Sequence, residues 1–219
     1  MGNTEAIQGI SVVTTTWNEK ENIEELIYRI HKTLQAVPHE VIVVDDNSSD
    51  GTLEVARRFA DVAVDKVREG QTKGLLYGVG LAKYSVIVTI DSDLENSPEI
   101  IPGLVEKLGV YDVVVASRTL LPRFSERWAA RLLGKKIGVS DFYSNFRAYK
   151  KETISDARLK GGETFGGELL VVAKKKGFKV GELAYKAPPR RSKPRIGGTI
   201  RANWRIIVAT WKCLFIYIF

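Results

Sequence analysis

The sequence predicts an α/β fold with a mostly parallel central sheet that is flanked by helices. Two observations lead to this prediction. Short apolar or β-branched runs alternate with helical segments through the first half of the chain, and clusters of polar residues follow several of these runs. Such alternation is typical of βαβ units, in which ligands bind beyond the carboxyl ends of the parallel strands.

The elements of the first half follow from residue type and spacing. We predict strands where Val, Ile and Thr cluster, and helices where apolar residues recur every three or four positions. The segment 21–36 shows the helical spacing clearly, because its apolar residues form one stripe. The predicted strands are 10–15, 40–45, 62–67, 86–91 and 112–116, and the predicted helices are 21–36, 52–59, 72–82 and 98–108.

The second half of the chain is less regular. Its predicted helices are 127–136 and 167–176, its predicted strands are 142–149 and 179–185, and a basic loop rich in Pro and Gly covers 187–199. The end of the chain is predicted to be an amphipathic helix with basic and aromatic residues. We therefore expect two units, a domain over 1–199 and a C-terminal helix over 200–219.

Composition and charge limit the possible partners. The single cysteine, Cys213, excludes an internal disulfide and a cysteine-built zinc site. The net charge is +7, but residues 174–219 hold twelve Lys or Arg and one acid, Glu182, so the positive excess lies in this C-terminal part. Such a segment favours an anionic partner, namely phosphate, nucleic acid or lipid head groups. Nucleic acid is disfavoured, because it leaves the apolar end and the carboxylate clusters without a role.

The C-terminal segment is too short to cross a bilayer. Its most apolar part, 206–219, has Lys212 as its only charge. As a helix it would be about 21 Å long, against a hydrocarbon core of about 30 Å. Its mixture of Trp and basic residues favours a helix that lies in the membrane interface, whereas the alternative is docking on the core or on a second subunit of a homodimer. No signal peptide is visible, so we expect a peripheral protein at the cytoplasmic face of a membrane.

The run 86–95 carries the most informative chemistry. Asp91, Asp93 and Glu95 follow at alternate positions where a buried strand is predicted to end, and an extended backbone would direct them to one side. Such a cluster of hard oxygen ligands favours a divalent cation, which in turn grips a substrate diphosphate. The alternative is a polar loop that caps the next helix at 97–99.

Two other polar clusters follow predicted strands. In 14–19, an aromatic ring and a carboxylate can stack on and hydrogen-bond a nucleoside, although Asn18 can also simply cap the next helix. In 43–52, Asp45 or Asp46 can accept hydrogen bonds from a base or a ribose. Each of these clusters is weak evidence for a nucleotide site when it is taken alone.

Dinucleotide binding is excluded on sequence grounds. The Gly-Val-Gly at 78–80 lies within a helical stretch, and Lys83 stands where a third glycine or alanine is needed. The sequence also contains no P-loop.

The polar clusters occur in a known order. Thr-Trp-Asn-Glu, Val-Val-Asp-Asp-Asn-Ser-Ser-Asp-Gly-Thr, Lys-Gly, Asp-Ser-Asp-Leu-Glu and Ser-Arg resemble the motifs of glycosyltransferase family 2, whose members use nucleotide sugars and have the GT-A fold. Within that family the chain is most similar to the polyprenyl-phosphate sugar transferases, the group of dolichol-phosphate mannose synthase. Residues 141–147 resemble the Asp-x-x-Ser-Gly-Phe-Arg segment of this group, and 195–201 resemble its Arg-x-x-Gly-x-Ser-Lys loop. The chain departs from the usual residues at Thr15, Trp17, Glu95, Asn145, Ile200 and Arg201.

The resemblance implies an activity and its requirements. It implies inverting transfer of a hexose from a GDP- or UDP-hexose to a polyprenyl (dolichyl) phosphate at the membrane surface, with Mg²⁺ or Mn²⁺ as the cofactor. An alternative acceptor is a soluble glycan or a polysaccharide.

The resemblance also implies roles for individual residues. The metal ligands would be Asp91, Asp93 and Glu95, and the catalytic residues would be Asp93 and Arg118. The acceptor phosphate would be bound by Arg118, Arg131 and Ser144. The nucleotide sugar would be held by Thr15, Trp17, Glu19, Val44, Asp46, Asp91, Ser92, Asp93, Arg195 and Arg201.

Overall fold

The structure is a computed structural model, and it describes residues 8–155, 157, 159–161, 164, 166–188 and 199–218. The strands are β1 Ile10–Thr16, β2 His39–Asp45, β3 Val62–Asp65, β4 Val86–Thr89, β5 Val113–Arg118, β6 Arg147–Lys150 and β7 Val180–Tyr185. The α-helices are α1 Lys20–Leu34, α2 Thr52–Phe59, α3 Gln71–Leu81, α4 Ile101–Lys107, α5 Phe124–Ala129, α6 Lys135–Ile137, α7 Gly167–Lys175 and α8 Thr199–Ile218.

The strands form one sheet in the order β3-β2-β1-β4-β6-β5-β7. β6 runs antiparallel to both of its neighbours, and every other pair of adjacent strands is parallel. This arrangement confirms the predicted α/β class with a mostly parallel sheet. It also brings the carboxyl ends of β1, β2 and β4 to the same edge, because these three strands are parallel neighbours.

Helices cover both faces of the sheet. Alternate residues of β1 point to opposite faces, so Val12 packs in one core layer and Val13 in the other. The layer with Val12 contains the buried stripe of α1, together with Ile101 and Leu104 of α4. The layer with Val13 contains residues of α3, α7 and α8. The chain thus builds a core on each face, as expected when a parallel sheet is covered on both sides.

Two glycines of α3, Gly74 and Gly78, allow close packing on the sheet. A Cβ atom added to Gly74 would lie 2.7 Å from Thr15 Cγ2, and one added to Gly78 would overlap the Val13 side chain. Gly78 lies in the middle of α3, not in a turn after a strand. The exclusion of a dinucleotide-binding motif at 78–80 therefore agrees with a packing role for these glycines.

The strand predicted over 142–149 is wrong in its first half, because β6 begins only at Arg147. The guanidinium of Arg147 is fully buried and donates hydrogen bonds to the carbonyl oxygens of Phe142 (3.1 Å), Ser144 (2.6 Å) and Gly166 (2.7 Å). Since a side chain satisfies these carbonyls, the segment before β6 needs no partner strand and folds as a buried loop.

Two other predicted boundaries also differ from the structure. The helix predicted over 127–136 begins earlier, at Phe124, and a π-helical turn, Ala130–Gly134, joins α5 to α6. The strand predicted over 62–67 ends at Asp65. Most of the basic loop predicted over 187–199 lies outside the described residues.

The C-terminal helix α8 packs on the domain with one face. Its buried residues are Ala202, Ile206, Ala209, Thr210 and Cys213. The hydroxyl groups of Thr210 and Tyr143 are 2.9 Å apart, and Ser125 Oγ of α5 donates to Asn203 Oδ1 at 2.6 Å. No helix within the described ranges has an apolar stretch long enough to span a bilayer.

Candidate active site

The loops after β1, β2 and β4 meet at one edge of the sheet. Thr16 pairs with Asp45 at the ends of β1 and β2, and Val13 pairs with Thr89 at the end of β4. The chain segments that follow these pairs contain half of the residues to which the sequence assigns a role, namely Trp17, Glu19, Asp46, Asp91, Ser92, Asp93 and Glu95. The predicted clustering of polar residues beyond the carboxyl ends of the strands is thus observed.

The loops after β1 and β2 are tied to each other by hydrogen bonds. Asn18 has a positive φ of 54°; its backbone N–H donates to Ser48 Oγ at 2.8 Å, and its side-chain oxygen accepts from Ser49 N at 2.9 Å. Asp45 accepts hydrogen bonds from Ser48 N (2.7 Å) and Ser48 Oγ (2.6 Å). Asn18 and Asp45 therefore shape the loops of the site.

Glu19 lies beneath these loops. Its backbone N–H donates to Thr52 Oγ1 at 2.9 Å, and its carboxylate accepts a hydrogen bond from Asn22 Nδ2 at 2.7 Å. The residue is buried. Its contacts link the first turn of α1 to the start of α2, and they hold the loop that carries Trp17.

Trp17 presents an aromatic ring at the edge of the site. Its side chain is 37% exposed, and the guanidinium carbon of Arg68 lies 3.5 Å from the ring centroid. Val44, by contrast, is fully buried in the core and pairs with Thr15 in the sheet. Of these residues, Trp17 is the one whose ring reaches solvent and suits stacking on a base.

The carboxylate of Asp46 is engaged by three donors of the protein. Lys66 Nζ lies 2.7 Å from Asp46 Oδ1, and the backbone N–H groups of Glu69 and Gly70 donate to the same carboxylate at 3.1 and 3.3 Å. The side chains of Asp46 and Lys66 are 12% and 10% exposed. The structure thus brings Asp46 to the site, but its carboxylate holds the segment after β3.

The carboxylates that follow β4 lie on a turn. β4 ends at Thr89, two residues earlier than predicted, and Leu94 has a positive φ of 58°. The Asp93 carboxylate accepts the backbone N–H of Glu95 at 3.0 Å. The expected alternation of three side chains along an extended strand is therefore wrong, because the backbone turns between Asp93 and Glu95.

Asp91 and Ser92 are fixed by neighbouring loops. The side-chain amide of Gln71 donates a hydrogen bond to Asp91 Oδ1, and Ser92 Oγ donates to the carbonyl oxygen of Thr15 at 3.0 Å. The first contact joins the turn to the start of α3, and the second joins it to the end of β1. The turn is thereby held between the start of α3 and the end of β1.

Negative charge is concentrated on this turn. The pKa of Asp91 is raised to about 7, first by burial and then by the negative charges of Asp93 and Glu95, while Arg118 and the Gln71 hydrogen bond oppose the rise. Asp93, Glu95 and Arg118 therefore lie within electrostatic reach of Asp91.

This donor set fits a divalent cation that is shared with a substrate. Mg²⁺ is commonly bound through one or two carboxylates together with substrate phosphate oxygens, and a cation relieves the repulsion that raises the pKa of Asp91. Within the described residues, no three His, Cys, Asp or Glu side chains are arranged to hold a metal ion by themselves. Asp91 and Asp93 fit such a shared site, whereas a complete protein cage of three carboxylates is not seen.

Arg118 lies at the end of β5 within a cluster of balanced charge. Its Nε donates to Asp141 Oδ2 at 2.6 Å, its Nη2 donates to Asp141 Oδ1 at 3.2 Å, and Glu126 Oε1 lies 3.8 Å away. Arg123 pairs with the same Glu126 at 2.8 Å. These carboxylates hold the pKa of Arg118 above its ordinary value despite the opposing effect of burial.

The other residues expected at the acceptor phosphate are placed differently. Ser144 is buried in the loop before β6, and its backbone N–H donates to the Asp141 carbonyl at 3.3 Å. Arg131 is exposed on the π-helical turn after α5, and no contact among the described residues joins it to Arg118 or Ser144. Arg195 and the side chain of Arg201 lie outside the described part of the chain.

Several residues that contact the site are not among those to which the sequence motifs assign a role. Arg68 covers Trp17, Gln71 binds Asp91, and Asp141 pairs with Arg118. Glu182 accepts hydrogen bonds from Ser117, the residue before Arg118, and from Ser140, the residue before Asp141. Asp141 lies in a motif that the sequence analysis singled out, but its pairing with Arg118 required the structure.

Comparison with known proteins identifies relatives of this chain. The family described as Glycosyl transferase family 2 matches residues 11–166. Dolichol-phosphate mannosyltransferase of Pyrococcus furiosus is 34% identical over 170 residues, which cover 68% of this chain and 48% of that protein. Undecaprenyl-phosphate 4-deoxy-4-formamido-L-arabinose transferase of Aeromonas hydrophila is 34% identical over 176 residues, which cover 73% of this chain and 53% of that protein. The chain thus spans about half the length of these curated relatives.

Solved structures show the same fold. Glucosyl-3-phosphoglycerate synthase of Mycobacterium tuberculosis, in complex with Mn²⁺, UDP and glucosyl-3-phosphoglycerate, has a TM-score of 0.78 at 23% identity, over 94% of this chain and 80% of that chain. This similarity confirms the predicted GT-A fold. The family match over 11–166 contains the loops after β1, β2 and β4 as well as Arg118 and Ser144. The chain belongs to glycosyl transferase family 2.

Proposed function

We propose that this chain transfers a hexose from a nucleoside diphosphate sugar to a polyprenyl phosphate, with inversion of the anomeric carbon. One observation carries the proposal. Two relatives that are each 34% identical to the chain differ in the sugar that their names give, but both names include a polyprenyl phosphate, dolichol phosphate in one and undecaprenyl phosphate in the other. The acceptor class is therefore better supported than any particular sugar.

The donor would lie across the edge of the sheet formed by β1, β2 and β4. Trp17 would stack on the base, and Asp46 with its neighbours would line the nucleoside end of the site. Asp91 and Asp93, with Glu95 nearby, would hold Mg²⁺ or Mn²⁺. When it is bound, such a cation neutralises the charge that develops on the leaving diphosphate. The remaining proposed donor contacts are Thr15, Glu19, Val44, Ser92, Arg195 and Arg201.

The acceptor phosphate would approach from the side of Arg118. One of its oxygens attacks the anomeric carbon, a bond forms between them, and the bond from that carbon to the diphosphate breaks. A phosphate oxygen is already anionic near neutral pH, so the reaction needs no strong general base. This suits the site, because no histidine is among the described residues that form it. Arg118, Arg131 and Ser144 are the proposed phosphate ligands, and Arg118 would also be catalytic.

The packing of α5 connects this acceptor side to the C-terminal helix. Glu126 of α5 lies 3.8 Å from Arg118, and Ser125 beside it binds Asn203 of α8. The outward face of α8 exposes Trp204 and Phe215, which are 66% and 64% exposed. We propose that this face lies on the cytoplasmic surface of a membrane as a peripheral contact, so that a lipid-linked acceptor reaches Arg118.

The decisive experiment is a donor screen with a lipid readout. The protein is incubated with radiolabelled UDP- and GDP-hexoses, Mn²⁺ and a polyprenyl phosphate, and the label that enters an organic extract is counted. We expect label in the organic phase with at least one donor, and its loss when EDTA is added. The Asp93→Asn variant should lose at least about 100-fold in rate, because it removes a charge that holds the cation.

The matched control is Asp65→Asn, which removes an exposed carboxylate at the end of β3 that is paired with Arg57. It should transfer label at the rate of the unsubstituted protein. Label that stays in the aqueous phase on a soluble glycan would establish the alternative acceptor. Full activity of Asp93→Asn in the presence of EDTA would refute the metal assignment.

A further inference from the structure

One short segment contacts both ends of the candidate active site. We call residues 66–71, which join β3 to α3, the strap. Asp46 binds the strap at Lys66, Glu69 and Gly70. Arg68 of the strap covers Trp17, and Gln71 binds Asp91. Trp17 belongs to the nucleoside end and Asp91 to the carboxylate turn. The strap therefore connects two parts of the site that lie 74 residues apart in sequence.

The anchor of the strap is the Asp46 carboxylate. It accepts a charged hydrogen bond from Lys66 Nζ at 2.7 Å and backbone hydrogen bonds from Glu69 and Gly70 at 3.1 and 3.3 Å. Gly70 has a φ of 102°, a conformation that favours glycine, so the backbone can turn its N–H toward Asp46. Since Asp46 and Lys66 are largely buried, this anchor is firmer than a surface ion pair.

At its nucleoside end the strap places a cation over the aromatic ring. The guanidinium carbon of Arg68 is 3.5 Å from the centroid of Trp17, which is the geometry of a cation–π contact. A base that stacks on Trp17 therefore meets Arg68 as well. A nucleoside that binds at Trp17 would therefore affect the position of Arg68 and of the strap.

At its other end the strap orients a carboxylate. Gln71 is the first residue of α3, and its side-chain amide donates to Asp91 Oδ1. A neutral amide fixes the direction of a carboxylate without cancelling its charge, so the negative charge of Asp91 stays available to a cation. Groups that orient a metal-binding carboxylate in this way commonly change metal affinity when they are removed.

We propose that Gln71 is a positioning residue for Asp91, and that the strap couples the nucleoside end of the site to metal binding. This inference rests on the proposed metal-dependent function. It predicts that a change at the anchor of the strap weakens metal binding. It further predicts that this effect passes through Gln71.

The test measures Mn²⁺ affinity by electron paramagnetic resonance of free Mn²⁺, with UDP or GDP at saturation. Gln71→Met keeps the length of the side chain and removes the donor, and we expect its dissociation constant for Mn²⁺ to rise about 10- to 100-fold. Lys66→Met, which removes the charged bond to Asp46, should also weaken Mn²⁺ binding. The double variant should bind Mn²⁺ no more weakly than Gln71→Met alone, because both changes act through one contact.

The control is Tyr77→Ser, an exposed position on the same helix, which should leave Mn²⁺ affinity unchanged. A positioning role also predicts that Gln71→Met recovers its rate at saturating Mn²⁺ and keeps its unfolding midpoint. Unaltered Mn²⁺ affinity in Gln71→Met overturns the positioning role, and additive effects in the double variant overturn the coupling. Failure of the unsubstituted protein to bind Mn²⁺ with either nucleotide is a different result, which overturns the metal-dependent function itself.

Discussion

The guanidinium of Arg118 is oriented by neighbouring carboxylates, and these carboxylates also offset its positive charge. The guanidinium pairs with Asp141 and lies near Glu126, and Glu126 also pairs with the neighbouring Arg123, so this group holds two cations and two carboxylates. The contact with Asp141 fixes the plane of the guanidinium through two parallel hydrogen bonds. The acceptor phosphate proposed above would therefore meet an oriented set of N–H groups.

A change of Arg118 to Lys should separate orientation from charge. A lysine keeps the positive charge but loses the two-pronged contact, so we expect transfer to fall by about 10-fold or more and the KM for polyprenyl phosphate to rise. The affinity for UDP or GDP, measured by calorimetry, should stay unchanged. Arg127→Lys is the control, because that guanidinium donates to the carbonyls of Leu121 and Pro122 on the surface. An unchanged KM in Arg118→Lys would argue against an acceptor role.

Glu182 supports this cluster from the neighbouring strand. Burial alone would raise its pKa, but hydrogen bonds from Ser117 Oγ (2.6 Å), Ser140 N (2.6 Å) and Ser140 Oγ (2.8 Å) lower it below the ordinary value. A carboxyl with a lowered pKa in the folded state stabilises the protein above the pKa of the unfolded chain. This stability is lost as the pH falls through the lower, folded-state pKa.

The Glu182→Gln variant should therefore have a lower thermal unfolding midpoint than the unsubstituted protein at pH 7. The difference should persist down to a pH of about 4.3, the ordinary value for a glutamate, and should shrink at lower pH. Thermal unfolding followed by circular dichroism over a series of pH values measures this. A difference that stays constant to low pH would mean that the three hydrogen bonds contribute no preference for the charged form.

Among the secondary-structure elements, helix α3 owes its position to its close approach to the sheet. Gly78 faces Val13 of β1 and Val44 of β2, whereas a methyl group added to Gly80 on the same helix would meet no neighbouring atom within 4 Å. The close approach sets the position of the first turn of α3. That turn carries Gln71, so helix packing and the geometry of the site are linked.

This difference predicts opposite effects for the same substitution at two positions of α3. Gly78→Ala should lower the free energy of unfolding by about 1–3 kcal/mol, because the added methyl group overlaps Val13 in a packed core. Gly80→Ala should raise it by about 0.5 kcal/mol, because alanine favours a helix and the site is open. Urea unfolding of the two variants provides the comparison. Equal effects would show that helix propensity, and not packing, governs both positions.

At the scale of the whole molecule, α8 has two apolar faces. One face buries Ile206, Ala209 and Cys213 against the domain, and the other exposes Trp204 and Phe215. Removal of the whole helix would therefore uncover the core as well as remove the outward face. Substitutions on the outward face are the appropriate test of membrane contact.

We expect the Trp204→Ser/Phe215→Ser variant to lose most of its binding to vesicles that contain anionic lipid, as measured by flotation. Tyr28→Ser is the control, because Tyr28 is 63% exposed on α1, which covers the opposite face of the sheet. Ile206→Ala should instead lower the free energy of unfolding by about 2–5 kcal/mol. Normal flotation of the double variant, together with dimers of the unsubstituted protein that the double variant no longer forms in sedimentation, would assign the outward face to a second copy of the chain.

Residue type and spacing were sufficient to predict much of the fold, because helices and strands depend largely on local sequence. The alternation of apolar runs and helical stripes predicted the α/β class, and the positions of Asp46 and Asp91 after apolar runs predicted where the site lies. The strand expected over 142–149 was wrong because the buried guanidinium of Arg147 satisfies carbonyls that a partner strand would otherwise bind. The pattern of apolar residues does not show that a side chain of the same segment will bind these carbonyls in place of a partner strand.

Residue type and order were enough to predict the class of fold, the family and the edge of the sheet at which the polar residues gather. The folded chain was needed to show that Asp46 holds the strap, that Arg118 is paired with Asp141, and that one face of α8 is buried while the other is exposed. These properties depend on which distant segments meet, and no local pattern contains that information. A carboxylate has the same local preferences whether it faces a lysine or a substrate. The packing of the chain determines which of the two it contacts.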